Sequence, residues 1–384
     1  MKTNIAQSKS RWRCAAHANP VTTSSTSHPA AYRAFRRPLR FLAALMASFM
    51  LLVAAACGDD GEESTEESTN EDASLPVIVA TTDIWADVVS NLACDGLATI
   101  ENIIPSGSDP HGFEPSLADR ERMENADLVV ANGLDLEESL LVTIEASEDS
   151  GVPVFELADH IDLIDFVFEV EDDHDEEESE SSDSEEEESE DHGEEDGEEE
   201  EEHHHEPSGS DPHVWFDPVR VSSALPDLAE RLVADAGLDE TAVDECLDAY
   251  QAELVALNNE IEQMLEQVPN ANRKLVTNHD SLGYYANRYG FSVVASIIPG
   301  TTTMAETNPA RLEELAETIE ETGVKAIFAE TMLATGDADA LASEVGDIKV
   351  VSLFTGSLGP EGSGAETYIG FLRTNTERIV EALS

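Results

Sequence analysis

The segment 239–267, DETAVDECLDAYQAELVALNNEIEQMLEQ, sets the architecture of the chain. It contains neither Gly nor Pro, and its apolar residues recur at the three- and four-residue intervals of one helix face. These residues are Val243, Leu247, Tyr250, Leu254, Leu257, Ile261 and Leu265. The spacing predicts one helix of about eight turns, which we take as a linker helix over 238–268. A single stiff helix between two lobes disfavours a large hinge closure.

The sequence on either side of this linker alternates short β-branched runs with amphipathic stretches. We predict strands at 76–81, 98–104 and 126–131 before it, and at 274–278, 291–297, 324–329 and 348–354 after it. Strands that alternate with helices are typical of parallel βαβ units, whose ligands bind at the carboxyl ends of the strands. We therefore expect an α/β protein with an N-terminal lobe over 75–237 and a C-terminal lobe over 269–384.

Residues 1–56 have the composition of an N-terminal extension followed by an export signal. Arginines between positions 33 and 40 precede the apolar stretch 41–56, which ends in small residues before Cys57. This junction resembles the lipobox of bacterial lipoproteins, in which the cysteine becomes the lipidated first residue. We expect a lipid on Cys57, an acidic tether over 57–74, and an extracytoplasmic protein anchored to the cell membrane. A plain transmembrane anchor is the alternative.

Residues 169–206 form an almost unbroken Glu/Asp run that contains histidines. Such a segment has too little apolar surface to fold by itself, but its imidazoles and carboxylates together favour divalent cations. The histidines are His174, His192, His203, His204 and His205. We interpret the run as a disordered loop that collects metal ions, zinc first, with a solvated acidic spacer as the alternative. The formal net charge of -63 makes nucleic acid an unexpected partner.

Two of the four cysteines lie beyond the leader and the expected lipid site. Cys14 lies in the N-terminal extension, and Cys57 is the expected lipid site. Cys94 and Cys246 remain, and in an exported protein two such cysteines either pair or stay as separate buried thiols.

Three histidines stand at the ends of predicted strands or in loops. His111 and His213 each close an Asp-Pro-His step, and His279 closes the first strand of the C-terminal lobe. Proline stiffens the chain before the first two, and the carboxyl ends of parallel strands meet at one edge of a sheet. Two histidines from the first lobe and one from the second are therefore expected to meet in the cleft between the lobes.

The order of motifs after Cys57 resembles that of the zinc-binding lipoproteins, which are solute-binding proteins of the zinc/manganese ABC importer family. The matching segments are DPHGFEP at 109–115, the acidic histidine run, DPHVWFDP at 211–218, VTNHDSLGYY at 276–285 and AETY at 365–368. The resemblance implies two lobes, each with a four-stranded, mainly parallel sheet flanked by helices, bridged by the long helix. It also implies a protein without enzymatic activity that binds metal in the cleft and delivers it to an ABC permease.

Carried onto this chain, the resemblance makes His111, His213 and His279 the metal ligands. Manganese-binding relatives generally have Glu where this chain has His279, and imidazole suits zinc better than manganese. Zn²⁺ is therefore the expected ion and Mn²⁺ the less favoured one. We expect a monomeric protein.

Gly356 departs from the family pattern, because relatives commonly carry an aspartate ligand at its position. Zinc in proteins prefers four ligands, so the fourth position is open. We expect a water near Glu330 there, with Glu114 or a carboxylate of the acidic run as alternatives. Asp109 and Asp280 are the acceptors that we expect to orient the ligand imidazoles.

Other functions remain open from the sequence. One is a manganese or iron carrier, or an adhesin, of the same fold. Another is an extracellular zinc hydrolase, since three protein ligands plus a water are also a catalytic pattern. The hydrolase is the least favoured, because the chain has neither a His-Glu-x-x-His spacing nor a nucleophile elbow.

Overall fold

The N-terminal lobe is built on a four-stranded parallel sheet. A computed structural model describes residues 74–164 and 209–384, except Asp95, Glu306, Asn308 and Asp347. The elements of the lobe are β1 (Val77–Ala80), α1 (Asp83–Leu92), β2 (Thr99–Asn102), α2 (Leu117–Glu124), β3 (Leu128–Ala131), α3 (Leu141–Asp149) and β4 (Val154–Glu156). The strand order is β2-β1-β3-β4, and every pair is parallel.

Two helices connect this lobe to the second one. α4 (Pro218–Ala234) begins at Asp217, whose side chain accepts hydrogen bonds from two backbone amides of the first turn. α5 (Glu240–Leu265) begins at Asp239, whose side chain accepts a hydrogen bond from the Ala242 backbone amide, and it matches the linker helix predicted from the sequence. It has 26 residues, which corresponds to a length of about 39 Å.

The C-terminal lobe repeats the topology of the first. Its elements are β5 (Lys274–Thr277), α6 (Gly283–Tyr289), β6 (Ser292–Ser296), α7 (Pro309–Thr322), β7 (Ala326–Glu330), α8 (Gly336–Val345), β8 (Lys349–Leu353) and α9 (Tyr368–Leu383). The strand order is β6-β5-β7-β8, again with parallel pairs only. The expected α/β fold with two four-stranded sheets and a long bridging helix is confirmed.

One continuous apolar core runs through both lobes. Buried residues of α1, α5, β7 and α9 belong to the same cluster, among them Trp85, Leu254, Phe328 and Phe371. α5 packs against α4, α1 and α9. Burial of one shared core disfavours separation of the lobes, because parting them would expose apolar surface to water.

Buried hydrogen bonds reinforce the contact between the lobes. The Trp215 indole N–H donates to the Thr355 carbonyl at 2.8 Å, and the Tyr368 hydroxyl donates to the Trp215 carbonyl at 2.6 Å. The Asp83 carboxylate, in the first turn of α1, accepts a hydrogen bond from the Ser357 hydroxyl at 2.8 Å. These bonds join α1 and the segment before α4 to the loop between β8 and α9 and to the first residue of α9.

A disulfide joins the N-terminal lobe to the bridging helix. Cys94, just after α1, is bonded to Cys246 of α5, with their Cα atoms 5.8 Å apart. The sequence left this pairing open, and the structure shows it formed. Within the two described ranges, no helix combines the length and the apolar character that a membrane span requires. Cys57 and the leader lie outside the described residues.

We expect the double variant C94S/C246S to have a free energy of unfolding lower by about 2–5 kcal/mol. The bond links residues 152 positions apart, so its loss returns conformational entropy to the unfolded chain. Urea unfolding followed by circular dichroism measures the difference. A reducing agent should destabilise the wild type and leave the double variant unchanged. Equal unfolding midpoints for the two proteins would contradict the prediction.

Candidate metal centre

Three buried imidazoles meet between the two lobes. His111 lies in the loop after β2, His213 lies just before α4, and His279 follows β5. Each is at most 2% exposed, and one ring nitrogen from each lies within 4.8 Å of the others. The Nε2 atoms of His213 and His279 are 3.0 Å apart. Nitrogens around a tetrahedral zinc ion lie about 3.3 Å apart, so this spacing suits a shared metal ion.

The two Asp-Pro-His steps share one local conformation. The Asp109 carboxylate accepts a hydrogen bond from the His111 backbone N–H at 3.1 Å, and Asp211 accepts one from the His213 backbone N–H at 2.9 Å. An aspartate that binds the amide two residues ahead forms an Asx turn. Each step is thus a preformed turn that delivers its histidine to the cleft.

Two buried carboxylates hold the imidazoles from behind. The Nδ1 atom of His213 lies 2.7 Å from Asp211 Oδ1, and the Nδ1 atom of His279 lies 2.5 Å from Glu330 Oε1. A hydrogen bond at Nδ1 fixes the ring and leaves the Nε2 lone pair for a metal. His111 Nδ1 faces the Glu138 carboxylate at the longer distance of 3.6 Å.

The position of Glu330 differs from the expectation. Its second oxygen accepts a hydrogen bond from the Thr355 hydroxyl at 2.6 Å, so both oxygens are engaged on the side away from the Nε2 atoms. Neighbouring strands bring Glu330 there, since it ends β7, which pairs with β5 just before His279. Glu330 thus orients His279, and the water expected at the fourth position stays a prediction.

The expected acceptors Asp109 and Asp280 are also wrong. Asp109 binds the His111 backbone amide and the Thr303 hydroxyl, not an imidazole. Asp280 is largely buried, and its Oδ1 atom has no hydrogen-bond partner among the described residues. The carboxylates that face His213 and His111 at Nδ1, Asp211 and Glu138, were missed. The repeat of Asp-Pro-His could have indicated Asp211, because both aspartates occupy equivalent places in the step.

Burial and mutual repulsion set the charge state of the cluster. Burial, together with the neighbouring His279 and His111, holds the pKa of His213 well below its ordinary value. Burial also lowers the pKa of His279, but the charge of Glu330 and its hydrogen bond outweigh burial and raise that pKa. Burial raises the pKa of Asp211 to about 7. The two neighbouring imidazoles thus have pKa values shifted in opposite directions, His213 downward and His279 upward.

Gly356 lies where a further ligand was expected, and the space beside it is filled. A Cβ atom built on Gly356 would lie 2.7 Å from Met332 Cε and 2.8 Å from Pro110 Cδ. Both distances are too short for carbon atoms, so this part of the loop accepts no side chain without rearrangement. The other alternative, Glu114, is exposed. The five histidines of the acidic run, His174, His192, His203, His204 and His205, lie outside the described residues.

Known proteins of similar sequence and fold bind metal ions. The manganese-binding lipoprotein MntA of Halalkalibacterium halodurans is 27% identical over 344 residues, which cover 87% of this chain and 95% of that protein. The zinc-binding protein TroA of Treponema pallidum is 27% identical over 314 residues, which cover 80% of this chain and 89% of that protein. The solved structure of periplasmic TroA superposes with a TM-score of 0.65 at 25% identity, covering 81% of this chain and 99% of that chain.

The family match extends over most of the chain. The sequence model described as "ZnuA: Zinc-uptake complex component A periplasmic" matches residues 78–382, from β1 to the end of α9. This match covers both lobes and the bridging helix, and it agrees with the resemblance read from the motifs. The chain belongs to the ZnuA family of metal substrate-binding proteins of ABC transporters, which are not enzymes.

Proposed function

We propose that the protein captures Zn²⁺ outside the cytoplasm through His111, His213 and His279 and delivers it to an ABC permease. The observation that carries this proposal is the convergence of three buried ring nitrogens within 4.8 Å. Family membership supports a metal ion as cargo and a permease as partner. The lipobox-like junction supports a membrane anchor through lipid on Cys57.

The donor atoms support zinc over manganese. Among the relatives, TroA is named for zinc and MntA for manganese, so similarity to them does not decide which metal ion this chain binds. Three imidazole nitrogens suit zinc, whereas manganese prefers carboxylate and water oxygens. The loop at Gly356 has no side chain to offer and no space for one. We propose a water as the fourth ligand, as zinc keeps in sites with three protein ligands.

The composition of the acidic run 169–206 supports a metal-collecting role in addition to binding in the cleft. Exposed carboxylates and imidazoles bind divalent cations weakly and exchange them fast, and salt screens such contacts. Buried imidazoles held by Asp211 and Glu330 are preorganised and lose less freedom on binding. We propose that the run raises the local zinc concentration and that the cleft retains the ion.

Titration against a competing chelator tests the metal. The chain without residues 169–206 is expected to bind one tight zinc equivalent and to bind manganese weakly, because the three imidazoles remain. H279A should lose the tight site. H160A is the matched control, since His160 is a partly exposed histidine that contacts Asp227. Loss of tight zinc binding after deletion of the run would contradict a cleft that works without it.

Growth tests the delivery step of the same proposal. Deleting the gene in its host should impair growth when zinc is limiting, and the intact gene should restore it. A gene that carries H279A should not restore growth, whereas one that carries H160A should. Normal zinc-limited growth of the deletion strain would contradict a role in delivery.

Zinc affinity is expected to fall as the pH decreases. The fall should begin above pH 6.5, which is the ordinary pKa of histidine. A proton on His279 blocks its Nε2 lone pair, and the pKa of His279 is raised by Glu330. In E330Q the carboxylate charge is absent, so the pH at which affinity falls should move downward. Chelator competition over a pH series measures both curves. Affinity independent of pH, or an unshifted curve for E330Q, would contradict the assignment.

Adding a side chain at Gly356 is expected to destabilise the protein. G356A should lower the free energy of unfolding by about 1–3 kcal/mol, because its methyl group meets Met332 and Pro110. G336A is the matched control, since a Cβ atom there meets nothing within 4 Å. Urea unfolding of the two variants compares them. Equal stability would show room for a ligand side chain at Gly356 and weaken the case against manganese.

A further inference from the structure

The imidazole of His111 is held less tightly than its two neighbours. His213 and His279 each have a buried carboxylate oxygen at Nδ1, at 2.7 and 2.5 Å. The corresponding oxygen at His111 belongs to Glu138, lies 3.6 Å away, and sits on a side chain that is 41% exposed. A separation of 3.6 Å is longer than a hydrogen bond. The third ring therefore lacks the fixed orientation of the other two until Glu138 moves toward it.

A residue of the other lobe is hydrogen-bonded to Glu138. The Thr302 hydroxyl donates a 2.5 Å hydrogen bond to Glu138 Oε1, the same atom that faces His111. Thr302 belongs to residues 300–304 of the C-terminal lobe, between β6 and α7, which we name the strap. This hydrogen bond holds the carboxylate of Glu138. Of the three carboxylates that face the imidazoles at Nδ1, Glu138 is partly exposed and the other two are buried.

The strap connects the surroundings of His279 to those of His111. At its start, the Gly300 carbonyl accepts a hydrogen bond from the Asp280 amide at 3.0 Å, next to His279. Further along, the Thr303 hydroxyl donates to Asp109 at 2.5 Å, and Asp109 in turn holds the His111 amide. The strap thus contacts the supports of ligands from both lobes.

The strap is also the part of the interlobe contact that can open at low cost. The bonds from Trp215 to Thr355 and from Ser357 to Asp83 are buried beside the shared core. The bond from Thr302 to Glu138, by contrast, lies among exposed groups. Segments held by few, exposed hydrogen bonds open more easily than the packed core. Local opening of the strap would therefore cost less than parting the lobes.

We propose that Glu138 is a positioning residue for His111, and that Thr302 of the strap holds it in place and thereby slows zinc release. This inference rests on the proposed function. When zinc binds Nε2, the Nδ1–H of His111 becomes a stronger donor, and Glu138 needs to approach by less than about 1 Å to accept it. The hydrogen bond from Thr302 keeps the carboxylate within that reach.

Zinc release from the purified chain into excess chelator, followed by stopped flow, tests the proposal. E138A is expected to release zinc about 10–100-fold faster, as is usual when a partner of a ligand histidine is lost. E138Q keeps an acceptor oxygen and should recover most of the slow release. T302V should accelerate release about fivefold, the effect of one hydrogen bond, and T302S should restore it. The slow phase is identified as the one that H279A lacks.

Matched controls separate positioning from general damage. E145A removes an exposed carboxylate of α3 in the same lobe, and T301V makes the same change as T302V one residue earlier in the strap. Both should release zinc at the wild-type rate. All variants should keep the wild-type melting temperature without metal, because Glu138 and Thr302 are not in the core.

A double variant tests the coupling between the two residues. If Thr302 acts through Glu138, E138A/T302V releases zinc no faster than E138A alone. Multiplicative effects would overturn the coupling, and a wild-type release rate for E138A would overturn the role of Glu138. A wild-type chain that binds no zinc overturns the proposed function as well, whereas tight zinc binding with unaltered release from E138A overturns only this inference.

Discussion

Burying three imidazoles within a few ångströms of one another is the constraint on which the rest of the structure depends. Protonated rings at this spacing repel each other, and burial removes the water that would screen them. The pKa of His213 is lowered by burial and by this repulsion, and the Glu330 carboxylate beside His279 offsets the repulsion. The shared core and the buried bonds of Trp215 hold rings from both lobes at that spacing.

The fold was largely predictable because long apolar periodicities specify it. α5 matched its predicted bounds closely, since its seven apolar positions follow one helix face and Asp239 caps it. β4 (Val154–Glu156) was not identified from its own residues, because three residues are too few for a period to show. α4 was likewise missed, and it contains Pro226, a residue that ordinarily argues against a helix interior.

The clustering of the three histidines could be predicted from their local sequence motifs. The carboxylate that orients His279 could not, because strand pairing brings it there. Asp109 and Asp280 were chosen as imidazole acceptors because they adjoin ligand histidines in sequence. The acceptor at His279 is instead Glu330, 51 residues away, which parallel pairing of β5 and β7 brings near. Burial also raises the pKa of Asp280 to about 7. A nearby dication would favour the ionised form of this carboxyl group.

The bond between Cys94 and Cys246 makes the chain a covalent ring between these two positions. The acidic run 169–206 lies inside that ring in sequence, and so do His111 and His213. A protease that cuts the run converts one chain into two fragments, and the ring keeps them joined. Each fragment then carries part of the histidine set, yet neither can diffuse away from the other. Nicking within this run would thus leave the molecule in one piece until the disulfide is reduced.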